Sequence, residues 1–103
     1  MLARILVKGK VQGVGFRNFV RITAKYSNIN GLVRNLQDGA VEIFAEGSES
    51  DINKMVNIFK TNIGINVPVR VDEITIFPEG TDNYAPAWKD YRGKFLIDAR
   101  HGE

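Results

Sequence analysis

The sequence predicts an α+β fold, a two-layer sandwich of one sheet and two helices, and three observations predict it. Apolar residues alternate with polar ones in period two near the start, middle and end of the chain, and switch to helical spacing in two windows between. These windows run strand, helix, strand, strand, helix, strand, then an irregular stretch and a last short strand. The two middle strands flank Gln37-Asp38-Gly39, where glycine can take the left-handed position of a hairpin turn.

Each element has its own signature. Ala3 to Val11 alternates apolar with basic or polar side chains, as a half-buried strand does. After it, Phe16, Phe19, Val20, Thr23, Ala24 and Ser27 follow the i, i+3, i+4, i+7 rule and leave Asn18, Arg21 and Lys25 for the opposite side. Asn28, Asn30 and Gly31 end that helix. Strands follow over Gly31–Leu36 and Ala40–Glu46, the second placing Val41, Ile43 and Ala45 against Glu42 and Glu46. Ser48 with Asp51 resembles a capping box, opening a helix whose apolar stripe is Ile52, Met55, Val56, Phe59 and Ile63. Val69 to Phe77 reads as a strand whose alternation slips near Glu73, as at a bulge. Phe95-Leu-Ile97 supports an edge strand. With both helices on one face of an antiparallel sheet, the arrangement is the ferredoxin-like βαββαβ sandwich, and residues 1–103 are expected to form one domain.

Composition narrows the chemistry. A chain of 103 residues buries roughly 60–70% of its unfolded surface, enough for one core. No window is long and apolar enough to span a membrane, and Met-Leu-Ala-Arg opens no apolar leader, so a cytoplasmic location is expected. The absence of cysteine removes disulfides, thiolate metal sites and phosphocysteine chemistry. The single histidine, His101, is expected in a frayed tail, which argues against a histidine triad or metal cluster. No metal and no cofactor is expected.

Charge is unevenly spread. Residues 1–37 hold seven basic side chains and no acidic one, whereas residues 38–103 hold seven basic and twelve acidic, so a net +2 conceals a +7 first third. If those cations lie together, their field draws anions toward the first strand–helix junction; if they are scattered, their charge balances locally.

That junction, Gly9-Lys-Val-Gln-Gly-Val-Gly-Phe-Arg17, is the most informative stretch of the chain. Gly13 and Gly15 allow positive φ and turn successive N–H groups inward, and the opening turn of a helix adds unpaired donors and the positive end of its dipole. Arg17 contributes a planar, permanently charged fork. A cation at a helix start opposes the dipole unless an anion offsets it, so Arg17 is better explained by a ligand than by surface solvation. The loop Gly13, Val14, Gly15, Phe16, Arg17 is therefore the candidate phosphate-binding site. It lacks the lysine and hydroxyl of a Walker loop, and Asn18 stands where a dinucleotide fingerprint needs its third glycine, so nucleotides are disfavoured. Gln12 is expected to begin the turn and bond its backbone, with no catalytic part.

The same residues closely resemble the first signature of the acylphosphatase family, G-x-V-Q-G-V-x-F-R. Gly31-Leu-Val-Arg-Asn35-Leu-Gln-Asp-Gly39-Ala-Val41, followed by Gly47, resembles the second, in the expected order and separation. The resemblance implies metal-free hydrolysis of the carboxyl–phosphate bond of small acyl phosphates by one arginine and one asparagine, releasing a carboxylate and inorganic phosphate. Arg17 matches the family's phosphate-binding arginine and Asn35 its water-orienting asparagine. Elementary chemistry gives the same division. The doubly charged phosphoryl group needs charge stabilisation and a placed water more than acid catalysis, because the carboxylate leaves readily. Charge-assisted bonds from Arg17 and the loop N–H groups contribute on the order of 1.5–3 kcal/mol each, and Asn35, which is no base at neutral pH, orients water through its amide.

The chain departs from the family pattern at Leu32, where an aromatic is usual, at Gln37, where proline is common, and from Pro78 to Gly93, longer than the family's connection. Tyr84, Trp88 and Tyr91 in that stretch either form a partner surface or fold back over the domain, and the second is favoured. A monomer is expected. Two alternatives stand beside the enzyme: a non-catalytic anion- or RNA-binding module on the same fold, and an accessory domain of a carbamoyl-transferring maturation protein. Nucleic acid is disfavoured, since Gly15-Phe-Arg-Asn-Phe-Val20 lies on a helix start and the third strand offers only Phe44 for stacking. The free-standing enzyme is favoured over the accessory domain, because the chain shows no further domain.

Overall fold

A computed structural model describes residues 1–61 and 69–102. Its elements are β1 (Leu2–Lys10), α1 (Phe16–Tyr26), β2 (Asn30–Leu36), β3 (Val41–Glu46), α2 (Glu49–Thr61), β4 (Arg70–Pro78) and β5 (Phe95–Gly102). The sheet order is β4-β1-β3-β2-β5. The first four strands pair antiparallel, as predicted, but β5 runs parallel to β2, so the five-stranded sheet is mixed rather than wholly antiparallel. To reach that edge from β4 the chain must cross four inter-strand gaps, about 19 Å at the usual spacing. A tight turn cannot do this, which is the physical reason for the long stretch between Pro78 and Phe95.

Strand parity sorts the side chains. Ala3, Ile5 and Val7 of β1, Val33 of β2 and Val41, Ile43 and Ala45 of β3 form one buried cluster with Phe16, Val20 and Ala24 of α1 and Ile52, Met55, Val56 and Phe59 of α2. The rings of Phe16 and Phe59 meet edge to face, 5.4 Å between centroids. α1 lies over β2 and β5, and α2 toward β4. The predicted stripes of both helices are therefore the buried ones; Ile63 falls outside the described residues. Ser48 Oγ accepts the Asp51 N–H at 3.0 Å at the start of α2. The bulge expected near Glu73 is present: Lys8 pairs with Glu73 and Gly9 with Val71, leaving Asp72 extra.

The even-numbered residues of β1 and β2 face the other way. On that face Arg4 and Arg34 both reach the buried carboxylate of Glu42, at 2.7 and 2.6 Å. Residues 79–94 cross it as a strap. Tyr84 and Tyr91 pack on Phe44, and Tyr91 Oη donates to Glu46 at 2.7 Å. Leu32 is fully buried. The strap thus folds back over the chain's own sheet. Phe44, the one ring of the third strand, lies beneath it with only 3% of its surface exposed. His101 belongs to β5, not to a frayed tail, in the stretch where the pairing with β2 shifts register between Asp98 and Gly102.

Candidate active site

The junction between β1 and α1 takes the shape its glycines permit. Gly13 has φ 72°, and Gly15, the residue preceding α1, has φ 80°, both in the left-handed region. No side chain caps the helix and its first turn carries no acidic residue, so its opening N–H groups remain available to an anion. Gly13, Gly15, Phe16 and Arg17 line a pocket of about 190 Å³ with Val11, Asn18 and Ile97. Four of the five predicted loop residues thus border one cavity. Phe16 borders it while also belonging to the buried core, and Val14 packs against the core instead.

Arg17 is oriented from outside its own helix. Its Nη1 donates to the backbone carbonyl of Asp98 in β5 at 3.2 Å, one of five donors on the guanidinium. Asp98 is the register partner of Arg34, the residue before Asn35. Asn35 shares its strand face with Val33, on the helix side of the sheet, and is 5% exposed. Its Oδ1 is buried without a hydrogen-bond partner among the described residues. An unpaired buried acceptor costs on the order of 1–3 kcal/mol, and such a cost is characteristic of a group reserved for a ligand or a water. Asn35 is not among the residues bordering the pocket; its link to the loop runs through other groups.

One of those groups is Gln12. Rather than bonding its own turn, its Nε2 donates to the carbonyls of Leu36 at 2.7 Å and Ala40 at 2.8 Å. These residues flank the β2–β3 turn, and Leu36 directly follows Asn35. The amide therefore ties the entrance of the loop to the hairpin that carries Asn35. The +7 charge of the first third is divided by the fold. Arg4 and Arg34 share the single carboxylate of Glu42 on the strap side, and Lys8 stands 4.0 Å from Glu73. Arg17 borders the pocket, and Arg21, one turn on, bonds the pocket residue Asn18 at 2.8 Å. Among the described residues, Arg17 is the charged side chain that borders the pocket.

The acylphosphatase family profile matches residues 3–88, a span that includes both motifs. The chain belongs to the acylphosphatase family. An acylphosphatase from Caldivirga maquilingensis is 41% identical over 83 residues, covering 79% of this chain and 84% of that protein. The crystal structure of acylphosphatase from Bacillus subtilis superposes with a TM-score of 0.72 at 35% identity, covering 95% of this chain and 99% of that one. The same fold matches a full-length HypF, crystallised in a phosphate- and nucleotide-bound form, with a TM-score of 0.73 and 32% identity, but over only 12% of that longer protein. The chain is accordingly a hydrolase of the acylphosphatase type. No helix among the described residues is long and apolar enough to cross a membrane.

Sequence reasoning missed three contributors: Gln12 as a tether, Ile97 as a pocket wall and the Asp98 carbonyl as the acceptor for Arg17. Gln12 finds its acceptors on the β2–β3 turn, 24 and 28 residues away, which no local pattern marks. The other two belong to β5, whose pairing with β2 has no local signature.

Proposed function

We propose that this acylphosphatase hydrolyses the carboxyl–phosphate bond of small acyl phosphates without a metal, the loop Gly13–Arg17 holding the phosphoryl group and Asn35 orienting the attacking water. The observation that carries the proposal is the pairing of an uncapped, glycine-built helix start bearing Arg17 with a buried, unpartnered Asn35 Oδ1 one register step from Asp98, the residue that orients Arg17.

Arg17 and the N–H groups of the loop stabilise the phosphoryl oxygens as charge shifts during transfer. Asn35 Oδ1 accepts a hydrogen bond from the water and so directs an oxygen lone pair at phosphorus, an orientation effect rather than base catalysis. Oxygen from water bonds to phosphorus as the phosphorus–oxygen bond to the acyl group breaks. The electron pair departs with the carboxylate, and the water's proton passes to a phosphoryl oxygen or to bulk solvent. Both groups come from one chain, which suits a monomer.

Turnover of benzoyl phosphate in EDTA, beside p-nitrophenyl phosphate as a monoester with a poorer leaving group, tests this. Rapid metal-independent loss of the anhydride with little monoester hydrolysis is expected. Equal rates on both, or none on benzoyl phosphate, would overturn it.

A further inference from the structure

The strap between β4 and β5 does more than cover the sheet. Tyr84 and Tyr91 account for the covering, at the end of β3 that carries Glu46. Trp88 stands apart from them, over the two strands that bear the site. Its ring lies 4.1 Å from the Arg34 guanidinium carbon, and its Nε1 donates to Asp98 Oδ2 at 3.0 Å. Arg34 precedes Asn35, and Asp98 supplies the carbonyl to which Arg17 donates. One indole on the far face of the sheet therefore touches a neighbour of each proposed catalytic residue.

Resting on the function proposed above, we propose that Trp88 is a positioning residue for the reaction: it fixes β5 at Asp98, hence the carbonyl that aims Arg17, and clamps Arg34, hence β2 at Asn35. The two contacts are directional in ways that mere covering does not need. The Asp98 carboxylate is 4% exposed, and its other oxygen accepts the Arg100 N–H at 3.1 Å and the Arg100 side chain at 3.4 Å. A buried carboxylate with fixed donors on both oxygens holds its strand in one place. Arg34 is likewise fixed twice, by Glu42 at 2.6 Å and by the indole face. Residues that orient a ligating or catalytic group in this way commonly affect affinity by one to two decades.

The two contacts can be separated. Trp88→Phe keeps a ring over Arg34 but has no N–H for Asp98, whereas Trp88→Ala removes both; Tyr91→Phe, on the same strap, removes only the bond to Glu46. Inorganic phosphate binding by calorimetry and benzoyl phosphate kinetics in EDTA are measured on each, below its thermal midpoint. Trp88→Phe is expected to weaken phosphate binding and raise KM by about 3–10-fold, the effect of one lost hydrogen bond, with kcat nearly unchanged. Trp88→Ala should lower kcat as well, and Tyr91→Phe should lower the midpoint alone. Trp88→Phe with unaltered phosphate affinity and KM would overturn the proposal, and this variant decides the matter if Trp88→Ala does not fold. Wild-type protein that binds phosphate without turnover would refute the proposed function instead, while the phosphate affinities would still judge Trp88.

Discussion

Replacing Gln12 by alanine removes the tether between the loop and the hairpin that carries Asn35. The structure sets the size of the effect. Two bonds are lost, of 2.7 and 2.8 Å, but both carbonyls keep a backbone donor, Leu36 N–H on Ala40 and Gly39 N–H on Leu36. Neither acceptor is orphaned, so the stability loss should lie in the lower part of the range for two ordinary bonds, about 1–2 kcal/mol. For a domain of this size that lowers the thermal midpoint by about 5–15 °C. Activity should suffer more, because the loop and Asn35 sit on separate elements and a shift of about 1 Å between them can cost on the order of 10²-fold. The expected loss in kcat/KM on benzoyl phosphate at 20 °C is therefore about 10–100-fold. Gln12→Glu, which sets a carboxylate against two carbonyl oxygens, should do at least as much damage. A midpoint lowered as calculated with kcat/KM unchanged would show that Gln12 only stabilises the turn, refuting its role in aligning the site.

Three further outcomes follow from individual contacts. Arg17→Ala should abolish inorganic phosphate binding and turnover together, read by calorimetry and benzoyl phosphate kinetics, since among the described residues its guanidinium is the one charged donor bordering the pocket. Glu42→Ala should destabilise the fold by about 2–3 kcal/mol in urea titration, less than for a fully buried pair because Arg4 and Arg34 keep 20% and 23% of their side-chain surface in solvent. For Asp98, burial pushes the carboxyl up, but the Arg100 N–H, the Trp88 indole and the Arg100 side chain together hold it below its ordinary value. The unfolded chain then takes up the proton first as pH falls. Its contribution is present above the unfolded value of about 4 and is lost as pH drops through the folded one. Asp98→Asn should therefore flatten the acid-side fall in urea midpoint below about pH 4.

Much of this molecule is legible in local pattern because local pattern is what its helices and first four strands obey. Period-two alternation assigned Val41, Ile43 and Ala45 to one face and Glu42 to the other, and helical spacing picked out the residues α1 and α2 bury. The positive φ of Gly13 and Gly15 likewise follows from residue type. What could not be read is non-local. Whether β5 joins an edge parallel or antiparallel depends on where the strap delivers it, and Phe95-Leu-Ile97 carries no mark of that choice. Asp98 resembles a solvent-facing residue of an edge strand until Trp88 covers it. Whether the +7 segment acts as one field or is balanced locally was open in the sequence, which does not reveal that Glu42 faces both Arg4 and Arg34 across the sheet.

In the proposed reaction Arg17 binds phosphate and Asn35 places the water, a division that Asn35→Ala separates. Its kcat on benzoyl phosphate in EDTA should fall about 10²–10³-fold, the usual consequence of losing a group that acts in the transition state. Inhibition by inorganic phosphate should persist at nearly the wild-type concentration, because the loop and Arg17 are untouched. A kcat near the wild-type value, or phosphate inhibition lost in step with turnover, would contradict the claim.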